Sequence, residues 1–463
     1  MSVDAGVRQS RGSSTLHRWG FVFVVVTVLV GSVSPVRAES HAGGNAIADI
    51  AIVPRIGTEI VWRNRSYVGE LDIATAGTNL SLVEEVALDA YLRGIHEVPL
   101  SWPDETLAAQ VVAARTYLAW TMDRGRSSSG RKYDFDICAT TQCQVYGGSS
   151  PGESADEIRW DEAIARTSRE ILLYEDAPAQ ALYSSSAGAR TRAIQDIWAA
   201  TAKPYLQAVD SPELEVTPFR SWTVEVPAEA FRRVVGQAGF VVGGVISRVV
   251  VVGPGEGLGP ERVEIQSELG VTSIPVSRIR GIFNKYGPAL YPGLFPGPRP
   301  SGRRWPQTIL SYTFETSLTG EPTAERSGLA PFLPASDLPS PLMVVFDGEG
   351  WGHAIGMSQW GIKAMGDQGW TYDDMLAHYY SGLRPEDGGQ YIPDTVRIGL
   401  TWKSPTLEFE ATGSFDLWIN GTFAGVLPAG RWQFDRSSSG IRLTPPEGAE
   451  FITARVTNRY WPR

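Results

Sequence analysis

The chain has 463 residues, enough for about three domains of ordinary size. Hydrophobic residues make up 43% and charged residues 20% of the sequence, a globular composition that excludes a wholly disordered chain. The sequence has 41 Lys and Arg against 51 Asp and Glu, a formal charge of −10, so it lacks the basic character of a nucleic-acid-binding protein. Its 2 cysteines exclude a disulfide-rich scaffold and a four-thiolate zinc site.

The first 38 residues have the pattern of a secretory signal peptide. Arg8, Arg11 and Arg18 precede an apolar run over residues 20–30, and small residues near Ala38 provide a cleavage site. The run is shorter than the roughly 20 residues of a membrane span, so a permanent anchor is the alternative. No later apolar run is long enough to span a bilayer. We therefore expect a secreted or cell-envelope protein that is soluble after cleavage, in an oxidising compartment.

The first part of the mature chain is predicted to contain a strand and then helices. Alternating apolar and polar residues predict a half-buried strand over 67–73, and one apolar stripe predicts a helix over 88–95. A second helix is predicted to begin after Ser101, a typical N-cap, and to run to about residue 122. Because this helix is apolar on most sides, we expect it to be buried, with Arg115 as a polar exception.

The predicted secondary structure changes twice in the later part of the chain. The alternation after residue 214 predicts strands, and 11 of the 31 prolines lie between residues 288 and 341, which indicates an irregular surface excursion. A Gly-rich stretch over 348–361 leads into a helical segment that ends near Gly382. Beyond it the pattern is that of strands, and Asn420-Gly421 is a strong hairpin signal.

These patterns together predict an α+β, multi-domain protein. After the signal peptide (1–38), a helical catalytic core with strands is expected over 39–213 and 346–383. A strand-rich subdomain with the Pro-rich excursion would be inserted at 214–345, and an all-β module would follow at 384–463.

Two charged residues are candidates for chemistry. Glu97 lies between two helices and is followed by Pro99, in an apolar setting that would raise the pKa of its carboxyl and suit a general acid. The alternative is an ordinary loop glutamate. Arg115, inside the apolar helix, could bind a substrate carboxylate or form a structural ion pair.

Other side chains carry weaker signals. Cys138 and Cys143 favour a local disulfide in an exported protein, and a metal-binding pair is the alternative. The serines after Tyr183 could line a groove or form a plain turn, and they lack the Gly-x-Ser-x-Gly pattern of a serine hydrolase. His353, in a Gly-rich loop that could approach a ligand closely, could equally be a core histidine.

Four blocks of this sequence resemble the stage II sporulation protein D family, also described as the amidase-enhancer domain. They occur in the family's order and span about residues 67–383. The blocks are LDAYLRGIHEVP (88–99), LAAQVVAARTY (107–117), the segment 136–148 together with YSSS (183–186), and GWGHAIGMSQ (350–359). The chain departs from the family where Val98 replaces a methionine and where Thr191-Arg192-Ala193 replaces Thr-Glu-Asn.

The resemblance implies a lytic transglycosylase that cleaves peptidoglycan glycan strands and prefers strands without stem peptides. It assigns the catalytic glutamate to Glu97 and a functionally important arginine to Arg115. No cofactor is expected, because the histidines that hold zinc in some relatives have no counterpart near Lys132. The resemblance implies substrate contacts from a further set of side chains: Gln142, Tyr183, Ser184, Ser185, Ser186, His353 and Gln359.

Three alternatives stay open on the sequence. With Asp136 as a second carboxylate, the enzyme would be a hydrolase. A non-catalytic wall-binding activator of a separate cell-wall amidase is the second alternative, and a secreted serine peptidase is a weaker third. Tryptophans such as Trp102, Trp198, Trp351 and Trp360 could stack on sugar rings in a glycan-cleaving enzyme and in a wall-binding activator alike.

Overall fold

The computed structural model describes residues 49–95, 97–149, 154–254, 259–299, 301–321, 341–438 and 440–447. The predicted signal peptide lies outside the described residues, as do part of the Pro-rich excursion (322–340) and the last part of the predicted C-terminal module (448–463). Within the described part of the chain, no helix combines the length and the apolarity that crossing a bilayer requires.

The first part of the described chain consists of five strands followed by a mainly helical region. Its elements are β1 (Asp49–Pro54), β2 (Ile60–Trp62), β3 (Arg65–Tyr67), β4 (Glu70–Ala76), β5 (Asn79–Ala87), α1 (Leu88–Arg93), α2 (Asp104–Asp123), α3 (Ser128–Tyr133), β6 (Ile137–Cys138), α4 (Ala155–Arg166), β7 (Glu170–Tyr174), β8 (Ala177–Pro178), β9 (Tyr183–Ser184) and α5 (Ile194–Ile197).

Helix α2 is the buried helix that the sequence predicts. Every residue from Thr106 to Ala119 except Tyr117 is buried, and the helix packs against α4 and β7. Its start differs from the prediction, because its N-cap residue is Pro103 and Ser101 lies outside the helix. Proline fits this position because its fixed φ suits the start of a helix and its missing N–H leaves no donor unsatisfied.

The middle of the chain has a hydrophobic core of its own, built from residues 219–346. Phe283 contacts Phe231 and Phe346 there, with ring centroids 5.5 Å apart in each pair. The described residues of this region form two three-stranded sheets, β10-β15-β14 and β11-β12-β13, and two helices. Its elements are β10 (Trp222–Pro227), α6 (Ala228–Gly236), β11 (Ile246–Val252), β12 (Arg262–Ser267), β13 (Gly270–Pro275), α7 (Val276–Leu290), β14 (Phe314–Thr319) and β15 (Met343–Gly348).

The last part of the chain begins with two helices and continues as strands. The predicted hairpin at Asn420-Gly421 is confirmed, with φ of 47° and 73° at its two turn residues. The elements are β16 (Met357–Ser358), α8 (Gln359–Asp367), α9 (Tyr372–Tyr379), β17 (Pro385–Asp387), a 3-10 helix (Gly389–Tyr391), β18 (Thr395–Ser404), β19 (Thr406–Ala411), β20 (Phe415–Ile419), β21 (Thr422–Leu427), β22 (Gly430–Ser437) and β23 (Gly440–Thr444).

The strands at the two ends of the described chain share their sheets. One seven-stranded sheet has the order β21-β20-β1-β4-β5-β18-β6, and a five-stranded sheet has the order β23-β22-β19-β2-β3. The C-terminal strands therefore complete sheets begun by N-terminal strands, which covers edges that would otherwise be open. The predicted α+β class is confirmed, whereas the domain boundaries remain a prediction.

Candidate active site

A pocket of about 880 Å³ opens where the turn between α1 and α2, the end of α2 and the middle region of the chain meet. Glu97 lines it, as do two residues of the Gly-rich stretch, Gly352 and His353. Aromatic side chains make up much of the wall: Tyr117, Trp120, Phe135, Tyr183, Trp198, Tyr312, Trp351 and Trp402. Such a wall offers flat apolar faces beside polar groups, which suits a ligand that is itself amphipathic.

The turn after α1 brings Glu97 next to the loop that carries Val145. Helix α1 ends with Gly94 as its C-cap, and an added Cβ there would lie 2.2 Å from the carbonyl oxygen of Gly148. A glycine is therefore needed for the close approach of the 145–148 loop. Ile95 then pairs with Tyr146 in an isolated β-bridge, and Glu97 follows two residues later.

The Glu97 carboxylate is only partly satisfied by the protein. Oε1 accepts a 2.8 Å hydrogen bond from the backbone N–H of Val145, while Oε2 is buried and makes no hydrogen bond within the described part of the chain. Burial raises the pKa of the Glu97 carboxyl, and the Tyr183 hydroxyl and the Val145 N–H only partly oppose this effect. The protonated form of Glu97 therefore persists to higher pH than in an exposed glutamate.

Gln144 is a supporting residue that the sequence alone does not single out. Its Nε2 donates to the carbonyl of Ala114 (3.1 Å) and to the hydroxyl of Tyr183 (2.8 Å), and its Oε1 accepts from the hydroxyl of Tyr91. Burial and the nearby charge of Glu97 hold the pKa of both tyrosine hydroxyls well above the usual range, so both stay protonated. Gln144 thus fixes the two phenols beside the carboxylate. Its position inside the resembling 136–148 segment was the available signal.

The three serines at 184–186, here called the serine run, lie partly in the pocket wall and partly in the core. Ser184 and Ser185 line the pocket with Tyr183, and the Ser184 Oγ accepts from the N–H of Ala354 (3.1 Å). Gly352 has φ of 121°, and an added Cβ would lie 2.7 Å from the Ser184 Cβ, so the glycines of this stretch allow close packing against the serine run.

Ser186 points away from the pocket, into a buried network around Glu213. The Glu213 carboxylate accepts from the Ser186 hydroxyl, from the Ser211 hydroxyl at 2.8 Å, from the Ser358 hydroxyl and from the N–H of Gly188 at 3.1 Å. Four donors satisfy this buried carboxylate, which ties together three separate segments of the chain. The expectation that Ser186 touches substrate is therefore not supported by its position.

His353 lies in the pocket wall, with its ring centroid 5.4 Å from that of Trp198. Its Nδ1 accepts from the N–H of Ile355 (3.0 Å), so this nitrogen carries no proton. Burial, with the positive charge of Arg280 as a further cause, lowers the pKa of His353 to about 4. The imidazole is therefore neutral at neutral pH.

The remaining predicted substrate ligands also reach the pocket. Gln142 is exposed at its rim, and Gln359 is buried in its wall, where its Nε2 lies 3.4 Å from the Oε1 of Gln110. Cys138 and Cys143 form a disulfide that closes the loop carrying Gln142, with Cα atoms 5.5 Å apart. Within the described ranges, no cluster of three or more His, Cys, Asp or Glu residues is arranged to hold a metal ion.

Arg115 does not line the pocket. Its Nη1 donates to the carbonyls of Thr167 (2.6 Å) and Glu170 (3.2 Å), and its Nη2 donates to the carbonyl of Ile164 (3.3 Å). These carbonyls lie in the last turn of α4 and just beyond it, where helix carbonyls lack partners within the helix. The contacts of Arg115 are those of a residue that fixes the end of α4, and they favour the structural alternative.

Asp136 is the second carboxylate among the described residues that line the pocket. Its Oδ1 accepts from the Nε of Arg126 (2.7 Å) in a salt bridge, and its Oδ2 accepts from the N–H of Arg397 (3.0 Å). Both oxygens are thus engaged, in contrast to the carboxylate of Glu97. The sequence allows Asp136 as the second carboxylate of a hydrolytic reaction, but its contacts make it a poor candidate for that task.

Comparisons with known proteins show which proteins this chain resembles. Residues 76–174, which include Glu97, match the model of the stage II sporulation protein family. The chain is 26% identical to stage II sporulation protein D of Bacillus amyloliquefaciens over 324 residues, covering 67% of this chain and 77% of that protein. It is 26% identical over 331 residues to the amidase enhancer of Bacillus subtilis, covering 63% of this chain and 39% of that protein's length.

A third relative, an uncharacterized protein of Brachyspira hyodysenteriae, is 24% identical over 321 residues, 68% of this chain and 71% of that protein. The chain thus matches the stage II sporulation protein family over residues 76–174, and it is similar to stage II sporulation protein D and amidase-enhancer proteins over about two thirds of its length. The names of the matched family and of these relatives support a role related to sporulation and to the bacterial cell wall.

Proposed function

We propose that this protein is an exported lytic transglycosylase that cleaves peptidoglycan glycan strands, preferably those without stem peptides. The observation that carries the proposal is the carboxyl of Glu97, which lines the pocket with a raised pKa and an Oε2 that makes no hydrogen bond within the described part of the chain. A general acid needs this combination of a retained proton and an uncommitted oxygen.

One carboxyl group is sufficient for the proposed reaction. Protonated Glu97 donates its proton to the glycosidic oxygen as the bond from that oxygen to C1 of the muramic acid residue breaks. The carboxylate formed then takes the proton from the 6-hydroxyl of the same sugar, and O6 bonds to C1 to give a 1,6-anhydro end. Glu97 regains its proton, and water is not consumed. The engagement of both Asp136 oxygens supports this route over hydrolysis, which needs a second carboxylate.

The wall of the pocket supports a carbohydrate substrate. Trp198 and Trp351, two of the tryptophans considered for sugar stacking, line it, and Trp120 and Trp402 line it as well. Aromatic rings pack against the apolar faces of sugar rings, while their N–H groups bind hydroxyls. Trp102 and Trp360 instead pack on each other, with ring centroids 5.0 Å apart, and are absent from the described lining.

Mass spectrometry of peptide-free glycan strands incubated with the purified mature protein tests this function. The wild type should release fragments that lack the mass of one water molecule at the cleaved end. Glu97→Gln should still bind strands but release such fragments about 10²–10⁴-fold more slowly, and Glu162→Gln, the same change at an exposed position on α4, should behave like the wild type. Fragments with ordinary reducing ends would identify a hydrolase, and unchanged release by Glu97→Gln would refute the assignment of Glu97.

A non-catalytic activator of a cell-wall amidase is the second candidate, favoured by the relative named amidase enhancer. In that case the wild type would release no glycan fragments from purified strands. It would instead increase peptide release by an added amidase, and Glu97→Gln would do so equally well. Peptide-free strands test for cleavage, and strands that retain their stem peptides, incubated with the amidase in the presence and absence of this protein, test for activation.

A further inference from the structure

Arg280 extends the pocket from the middle region of the chain, outside the segment that matches the family. It lies on α7 and lines the pocket together with Gln307, Tyr312 and His353. Its Nε donates to the carbonyl of Leu310 (2.9 Å), and its Nη2 donates to the Oε1 of Gln307. The same Gln307 oxygen accepts from the indole N–H of Trp351 at 3.3 Å and from the side chain of Asn284 at 3.4 Å. The guanidinium is therefore held in one orientation.

Within the described residues, no carboxylate pairs with the charge of Arg280. No described Asp or Glu forms a salt bridge with it, whereas the half-buried Arg192 pairs with Glu261. Arg115 also lacks such a pair, but it is turned to backbone carbonyls. Burial lowers the pKa of Arg280, with only Tyr312 acting in the opposite direction. A partly desolvated cation in a ligand pocket gains most from an anionic ligand.

The pocket-lining groups next to Arg280 carry no charge of their own at neutral pH. His353 is neutral at neutral pH, and Tyr312 offers a ring whose centroid lies 5.5 Å from the guanidinium. The other cation in the described lining, Arg124, is exposed and lies over Trp120, 4.4 Å from its ring centroid. Arg280 is thus the fixed, partly buried cation of the lining, and planar carboxylates are the anions that a guanidinium matches best.

We propose that Arg280 binds the free lactyl carboxylate of a muramic acid residue and thereby selects peptide-free strands. The inference rests on the proposed function. In a strand that carries stem peptides, the lactyl carboxyl is tied up in an uncharged amide. Once the peptide is removed, this carboxylate is the charged group of an otherwise neutral repeating disaccharide. The carboxylates of stem peptides are another source of the same chemistry.

Calorimetric titration of the mature Glu97→Gln protein, which binds without cleaving, tests the inference. The probes are peptide-free oligosaccharides with free lactyl carboxylates, the same oligosaccharides with these groups converted to methylamides, and oligosaccharides that retain their stem peptides. The free carboxylate should bind about tenfold to a hundredfold more tightly than the methylamide, because hydrogen bonds to charged groups contribute that much. Adding Arg280→Gln should abolish this difference, and Arg280→Lys should keep part of it.

A matched control and four outcomes make the test decisive. Arg278→Gln removes the same charge from an exposed position on α7 and should leave the difference unchanged. Arg280→Gln should also bind the methylamide as tightly as its parent; weaker binding there would show a structural role and overturn the inference. Equal binding of free carboxylate and methylamide would overturn it while leaving the proposed function intact. Equally tight, Arg280-dependent binding of strands with stem peptides would assign the carboxylate to the peptide instead, and binding of no strand would refute the proposed function itself.

Discussion

The backbone N–H of Val145 holds one oxygen of the Glu97 carboxylate at 2.8 Å and leaves the other oxygen free of hydrogen bonds within the described part of the chain. The two oxygens therefore have different tasks. The first fixes the orientation of the carboxyl group, and the second can carry the proton. Because a backbone N–H can only donate, the proton of the neutral acid belongs on Oε2.

Strand cleavage should depend on pH through Glu97. Burial raises the pKa of its carboxyl, so the acid form that starts the reaction is lost as the pH rises through that raised value. We expect the rate of fragment release to be highest below this pKa and to fall above it. Glu97→Gln should reduce the rate by about 10²–10⁴-fold at the optimum and leave only a residual rate without this fall. A rate that rises steadily with pH in the wild type would contradict the role of Glu97 as an acid.

The local part of this site could be predicted from the sequence. Pro99 ends any helix after Glu97, and the apolar character of α2 predicts its burial, because both effects act within a few residues. The contact between Arg115 and Thr167 could not be predicted in this way, because it depends on where α4 ends, 52 residues further along the chain. An apolar helix shows only that a polar side chain needs partners, and it does not identify them.

Contacts between distant parts of the chain could not be predicted from the sequence either. The pairing of β18 with β5 joins strands more than 300 residues apart, and a strand's own alternation does not specify its neighbour. Arg280 and Gln307 were missed because they lie in the middle region, which the resembling blocks do not cover. They reach the pocket because Gly352, in the Gly-rich stretch, donates its N–H to the carbonyl of Leu310 at 3.0 Å, which brings this region against the site.

Arg115→Ala should act mainly on stability. It leaves the carbonyls of Ile164, Thr167 and Glu170 without their donor in a buried region, so we expect the free energy of unfolding to fall by about 3 kcal/mol or more. Arg115→Lys should restore little, because one ammonium group cannot reach the same set of carbonyls. Urea unfolding followed by circular dichroism measures the change.

Arg169→Ala is the control for this loss of stability. Arg169 is an exposed arginine that pairs with Asp387 on the surface, so its removal should cost no more than about 1 kcal/mol. If Arg115→Ala unfolded like the wild type but no longer cleaved strands, its role would be in substrate handling, and the structural interpretation would be wrong.

Replacing Ser185 and Ser186 should have different effects, one on strand binding and the other on stability. Ser186→Ala removes a donor from the buried Glu213 carboxylate and should lower the free energy of unfolding by about 1–3 kcal/mol, with strand affinity unchanged. Ser185→Ala, in the pocket wall, should weaken strand binding and leave unfolding nearly unchanged. Urea unfolding and calorimetric titration of both variants measure these two quantities. Weaker strand binding by Ser186→Ala together with a loss of stability in Ser185→Ala would contradict the assignment.

His353 should make the protein less stable as the pH falls from neutral to acidic. Its pKa is lowered from 6.5 to about 4 in the folded state, so between these values the unfolded chain binds a proton that the folded protein does not. The stability contributed by the neutral imidazole is therefore complete above pH 6.5 and is lost as the pH falls toward 4. Between pH 7.5 and pH 5 the loss should reach about 2 kcal/mol.

Buried carboxylates change the stability in the opposite direction as the pH falls. The contribution of His353 is therefore measured by comparing the wild type with His353→Asn. Glu84, Glu97 and Glu213 have raised pKa values, so the folded protein holds their protons more strongly and gains stability as the pH falls. These three groups are present in both proteins. The free energy of unfolding of the wild type minus that of His353→Asn should therefore decrease by about 2 kcal/mol from pH 7.5 to pH 5, as measured by urea unfolding. A gap that stays constant over this range would mean that His353 takes up a proton as readily in the folded protein as in the unfolded chain, and its burial against Trp198 would not control its charge.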